Sequence, residues 1–151
     1  MRKTIAAACI FAGAALPFAA ATAQPIPPEA VGTYEVVVAP DPNKNACGLT
    51  PAVNIGTFGK DGTLVNVDPF LGTAVGQIYK GAKKTYYSSF FGIAFNPLLN
   101  AIVRYEVQGV STLSTENGFS GTFDTTITFP DQTTCTSSGT FTGTRLAGSR
   151  L

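Results

Sequence analysis

From Gly32 to Leu146 this chain never places apolar residues at i, i+3, i+4 and i+7 over a helical length, whereas short stretches alternate apolar and polar residues at every second position. That pattern restricts the fold more than any other feature, because half-buried strands without a helix must cover their dry face with more sheet. The later stretches show it best. Val103, Tyr105, Val107 and Leu113 share one face of their run, and Arg104, Glu106, Gln108 and Thr112 share the other. Phe119, Phe123, Ile127 and Phe129 oppose Ser120, Thr122, Asp124, Thr126 and Thr128, and Gly139, Phe141 and Gly143 oppose Thr136, Ser138, Thr140 and Thr142.

Turn residues cut the chain into eight predicted strands, at 33–39, 53–59, 63–67, 73–80, 85–95, 101–114, 119–129 and 135–146. The separators are Lys60-Asp61-Gly62, Gly81 to Lys84, Asn96-Pro97, Glu116-Asn117-Gly118 and Pro130-Asp131; Asp-Gly and Asn-Gly favour hairpins because they tolerate positive φ. Wet-and-dry strands joined by tight turns predict an all-β fold, an eight-stranded antiparallel up-and-down barrel, with a two-sheet β-sandwich as the alternative.

The N-terminus reads as an export leader. Arg2 and Lys3 precede an uncharged apolar stretch, and Ala21-Thr22-Ala23 offers an A-x-A cleavage site before Gln24. The apolar run is shorter than the roughly 18–20 residues of a spanning helix, so no membrane span is expected after processing. The expected organisation is a signal peptide over 1–23, an N-terminal arm over 24–31 with polyproline character, and one barrel domain over 32–151, working in the periplasm or as a secreted protein. Of ten basic residues Arg2 and Lys3 leave with the leader, so eight face nine acids, a balance with no basic cluster for nucleic acid or anionic lipid. Cys9 leaves as well. Cys47 and Cys135 remain in an oxidising compartment, where a disulfide is expected over two buried thiols. In the barrel topology it would close the seam between the first and last strands.

Gly32-Thr33-Tyr34 opens the first strand much as the lipocalin G-x-W motif does, and Thr144-Arg145-Leu146 ends the eighth where those proteins carry an arginine. In this the chain resembles the calycins, the class of eight-stranded barrels that includes lipocalins. The resemblance implies that Arg145 lies over the Tyr34 ring and seals one end. Cys135, Ser138 to Thr140 and Gly143 to Arg145 are also similar to the ends of small exported bacterial barrels. The departures are the absence of tryptophan and of the helix that lipocalins place after strand eight.

Catalytic chemistry finds little material. With no histidine, imidazole acid–base work, a Ser-His-Asp triad and histidine metal sites are excluded. Glu35, Glu106 and Asp124 fall on wet faces, so no facing carboxylate pair is expected. Asp41, Asn43 and Asn45 have the spacing of a calcium loop but lack its sixth-position glycine and distal glutamate. Neither a metal nor a cofactor is called for.

Phe91, Ile93, Phe95, Val103, Tyr105, Phe123, Ile127 and Phe141 are expected to point inward, either filling the barrel or bordering a partial cavity, for which inward glycines 109, 121, 139 and 143 leave room. In strand five Tyr86, Tyr87, Phe90, Phe91, Ile93 and Phe95 load both faces, and an outer patch with Tyr86 and Phe90 is expected as a subunit interface, or as an edge covered by the arm. Apolar loop tips Phe70, Leu71, Leu98 and Leu99 gather at the end opposite Arg145 and are expected to form the lip of an open mouth, or else to cap the core. Phe70, Leu71, Leu98, Leu99, Phe91, Phe95, Tyr105 and Phe123 are therefore the candidate ligand-binding residues. The leading expectation is an exported, non-catalytic barrel holding a small apolar molecule. The alternatives are a module binding an exported protein, such as a protease or lysozyme inhibitor using its arm, and a cofactor-free isomerase or cyclase similar to allene oxide cyclase.

Overall fold

The computed structural model describes residues 25–96, 100–115 and 117–148. The leader reading and the lip residues Leu98 and Leu99 lie outside them. Eight strands, β1 (Gly32–Asn45), β2 (Ala52–Phe58), β3 (Thr63–Asp68), β4 (Gly72–Lys80), β5 (Thr85–Asn96), β6 (Ala101–Thr115), β7 (Gly118–Thr128) and β8 (Thr134–Arg145), follow one another around a closed antiparallel barrel. The sandwich alternative is excluded, because β1 pairs with β8 from Tyr34↔Arg145 to Pro40↔Gly139 and leaves no open edge there.

Most strand ends fall within a residue or two of expectation; β1 does not. Its prolines 40 and 42 suggest a loop, yet the strand runs on to Asn45, which pairs with Ser137 across a register shift. Beyond Val38↔Ala52, β1 has no partner on its β2 side, so proline, which has no N–H to donate, is tolerated on that free edge.

Two apolar clusters divide the interior. One lies at the end where β1 begins, around Tyr34, Ile78, Tyr86, Leu113 and Phe119. The other, around Ala74, Ala94, Val103, Tyr105 and Ile127, lies toward the opposite end and packs against Leu49, Leu71 and the two cysteines. Cys47 and Cys135 form the expected disulfide, with Cα atoms 5.3 Å apart across 88 residues of sequence, and fasten the β1–β8 seam. Such a bond suits an oxidising compartment outside the cytoplasm. No helix among the described residues is long and apolar enough to cross a membrane.

Candidate binding cavity

One end of the barrel is shut by the chain's own N-terminal arm. Pro27 and Pro28 accept hydrogen bonds from the amides of Ala30 and Val31 in a tight turn, which buries Ile26, Ala30 and Val31 against the first cluster. Gly32, at φ +147°, then turns the chain into β1 with a backbone conformation that a side chain would strain. The Tyr34 hydroxyl donates to the Ala30 carbonyl at 3.2 Å. The Arg145 guanidinium sits 4.8 Å from the centre of the Tyr34 ring and donates to the carbonyls of Val31 and Glu29. Beneath it, Tyr34, Phe58 and Phe119 pack ring against ring at 4.9–5.5 Å. Burial pushes the Tyr34 phenol above its ordinary value, and the arginine charge opposes the shift only in part.

Above this floor lies a cavity of about 320 Å³, walled by Val36, Phe58, Leu64, Phe90, Val107 and Phe141 among others. Its size falls at the lower end of the roughly 300–1,000 Å³ range of ligand pockets. Among the described residues, two loops border the rim. Asn45 holds the first at both ends, its side chain donating to the Leu49 carbonyl at 2.7 Å and accepting from the Leu49 amide at 2.8 Å. Ser137 secures the same loop, donating to Asn45 and accepting from the Cys47 amide. Asp68 shapes the second by accepting from the amides of Phe70 and Leu71 at 2.7 and 2.8 Å. Gly48, Leu49, Thr50, Phe70 and Leu71 thereby border the cavity opening, and Phe70 is 68% exposed there.

Of the candidate residues, Phe70, Leu71, Tyr105 and Phe123 do line this cavity. Phe91 and Phe95 do not. They stand on the outer surface at 52% and 57% exposure, as does Ile93, and the expected inward orientation is corrected. The inward residues of β5 are Tyr86, Ser88, Phe90, Gly92 and Ala94, so Tyr86 and Phe90 are not part of an outer patch either. Packing against β6 explains the choice. A Cβ at Gly92 would fall 2.5 Å from the Tyr105 ring and hydroxyl, so the bulk of Tyr105 requires glycine on the face that β5 turns inward. Close approach also fills most of the room that the inward glycines suggested. Phe119 lies over Gly143, and a Cβ there would meet its ring at 2.1 Å, while Phe141 and Phe123 crowd Gly121 and Gly139. Gly109 alone of the four borders the cavity.

Sequence reasoning missed the polar part of the wall. Asn54 and Asn66 are buried on β2 and β3, and Thr125 on β7, and Ser88 joins them; of the polar wall only Tyr105 was among the expected residues. The Asn54 side-chain oxygen and the Tyr105 hydroxyl are buried with no hydrogen-bond partner among the described residues. Burial, reinforced by the nearby Asp68 carboxylate, pushes the Tyr105 phenol up to about 12. The available signal was an inverted alternation, since Val53, Ile55, Val67 and Val75 face outward while Asn54, Gly56, Asn66 and Ala74 face inward. Together with Phe91, Ile93, Phe95 and Ile102, these outward residues give β2 to β6 an apolar outer face. It carries a stacked Tyr79–Tyr87 pair at 5.4 Å and an Arg104–Glu106 ion pair beside Ile93 and Phe91.

Chemically, the cavity can surround an apolar body and offer it neutral hydrogen-bonding groups. Among the described residues, the only ionisable carboxylate in its wall is Asp68 at the rim, and no lysine or arginine lines it. Glu106 and Asp124 lie outside, engaged by Arg104 and Ser138. Among the described residues no group of three or more His, Cys, Asp or Glu side chains could hold a metal ion. The chain matches no protein-family model, no curated protein and no solved structure.

Proposed function

We propose that the protein is an exported, non-catalytic carrier that holds a small, largely apolar molecule inside its barrel. One observation carries the reading: a mainly apolar cavity of about 320 Å³ opens at one end, between loops 45–50 and 68–71, over a floor closed by the arm and Arg145. Without histidine or a facing carboxylate pair, the wall is equipped to hold a molecule more than to transform it. Export by the leader over 1–23, to the periplasm or beyond, agrees with the Cys47–Cys135 bond. Kinship with the calycins is supported by Arg145 stacked on Tyr34 at the sealed end. The outer face of β5, with Phe91, Ile93 and Phe95, is the surface through which a second copy would associate.

The buried Asn54, Asn66 and Tyr105 favour a second reading, a cofactor-free isomerase or cyclase that orders an apolar substrate. The inhibitor reading is the weaker one, because the arm lies against its own barrel. Native mass spectrometry of protein purified from its own host tests the carrier. A retained small molecule, absent from a cavity-filling Gly56→Leu variant, is expected. Protein that retains nothing, and whose cavity admits no neutral apolar dye such as N-phenyl-1-naphthylamine, would refute it.

A further inference from the structure

The carrier reading leaves two atoms unexplained. The Asn54 side-chain oxygen is buried in a residue 7% exposed, and the Tyr105 hydroxyl in one 1% exposed; neither has a hydrogen-bond partner among the described residues, and both residues line the same cavity. A buried polar atom left unpaired costs stability, so native proteins seldom keep one without a reason. Their neighbours do not satisfy them. Asp68 turns one carboxylate oxygen to the amides of Phe70 and Leu71 and makes no bond to the Tyr105 hydroxyl, and the Asn54 partner across β1 is Val36, whose side chain offers no donor.

Resting on the carrier reading, we infer that the molecule held here is neutral and bears a hydroxyl group, which donates to the Asn54 side-chain oxygen. An amide oxygen can only accept, so the ligand must bring a proton. A hydroxyl supplies one and keeps lone pairs for a second contact, and the Tyr105 phenol, which holds its proton to about pH 12, is the donor that fits. The charge of the wall selects against an acid. No cation among the described residues lines the cavity, and a carboxylate entering past Asp68 would meet a like charge at the rim and an uncompensated desolvation inside. An apolar alcohol satisfies the orphaned atoms at no such cost, and an ether or hydrocarbon of equal size leaves Asn54 unpaired.

Three ten-carbon probes of nearly equal size separate these cases: 1-decanol, nonyl methyl ether and decanoate. Each displaces N-phenyl-1-naphthylamine from the delipidated full-length mature protein at pH 8. The expected order is decanol tighter than the ether by about tenfold, the worth of one hydrogen bond not left unmade, and tighter than decanoate by at least as much. In Asn54→Leu, which keeps the bulk and removes the acceptor, the alcohol-to-ether ratio falls to about twofold or less. Asn54→Ala gives the same readout if the leucine variant does not fold. If the dye never enters the wild-type barrel, the carrier reading fails. If it enters but alcohol and ether compete equally, or the ratio survives loss of the Asn54 amide, the cavity stands and the hydroxyl assignment is overturned. Tightest binding by decanoate overturns the neutrality of the ligand.

Discussion

Replacing Arg145 by alanine tests how the closed end is built. The side chain stacks on a fully buried tyrosine and reaches two carbonyls of the arm, so it ties together β8, β1 and residues 29–31. A partly desolvated cation–π contact is worth about 1 kcal/mol. A hydrogen bond from a charged donor adds about 1.5 kcal/mol or more at the half-buried Val31 carbonyl. The Glu29 contact is exposed and adds little. Loss of about 3 kcal/mol follows, a fall in melting temperature of roughly 10–15 °C for a barrel of this size. Arg145→Lys keeps a charge above the ring but loses the fork that spans both carbonyls, and should recover about 1 kcal/mol of it. Chemical denaturation of wild type and both variants measures these differences, and dye binding by the folded fraction should not change, since Arg145 lies at the end away from the opening. An alanine variant within about 0.5 kcal/mol of wild type would refute the account of the closure. So would a lysine variant of wild-type stability.

Cys135→Ser opens an 88-residue loop and should cost about 4–5 kcal/mol on the chain-entropy model, read as a lower denaturation midpoint that reductant reproduces in wild type but not in the variant. Tyr34, Tyr86 and Tyr105 all have phenols raised above 10 by burial. Their contribution to stability is therefore complete below about pH 10 and is lost as pH climbs through their raised folded-state values, which for Tyr105 is about 12; phenolate absorbance should appear late and together with unfolding, and Tyr105→Phe should shift that transition to higher pH. A Phe91→Ser/Ile93→Ser double variant should sediment as a monomer with its melting temperature kept, whereas wild type associates; a monomeric wild type at tens of micromolar would remove β5 as an interface. Gly92→Ala should displace the Tyr105 ring and destabilise the barrel by about 2 kcal/mol or more, measured by urea denaturation.

The order of strands, their turns and the disulfide were legible in the amino-acid sequence, because each depends on local chemistry or on end-to-end topology, whereas the Tyr34–Arg145 closure was expected only through the resemblance to the calycins. Hairpin residues such as Asp61-Gly62 mark turns wherever they occur, and an up-and-down order places strands one and eight side by side whatever fills the interior. Which face of β2 to β5 points inward was not legible. Alternation separates two faces but does not label them, and the usual rule that apolar faces turn inward fails where the barrel is hollow and its outer surface is itself apolar. There the inward positions went to Asn54, Gly56, Asn66 and Gly92, small or polar, because large rings from β6 and β7 cross the interior and a cavity occupies what remains. That decision depends on side chains from strands distant in sequence meeting in a fixed volume, and only the closed barrel brings them together. The same closure decided that the arm lies on its own floor, since Ile26, Ala30 and Val31 find an apolar surface only once Tyr34, Ile78, Tyr86 and Phe119 have gathered from four strands.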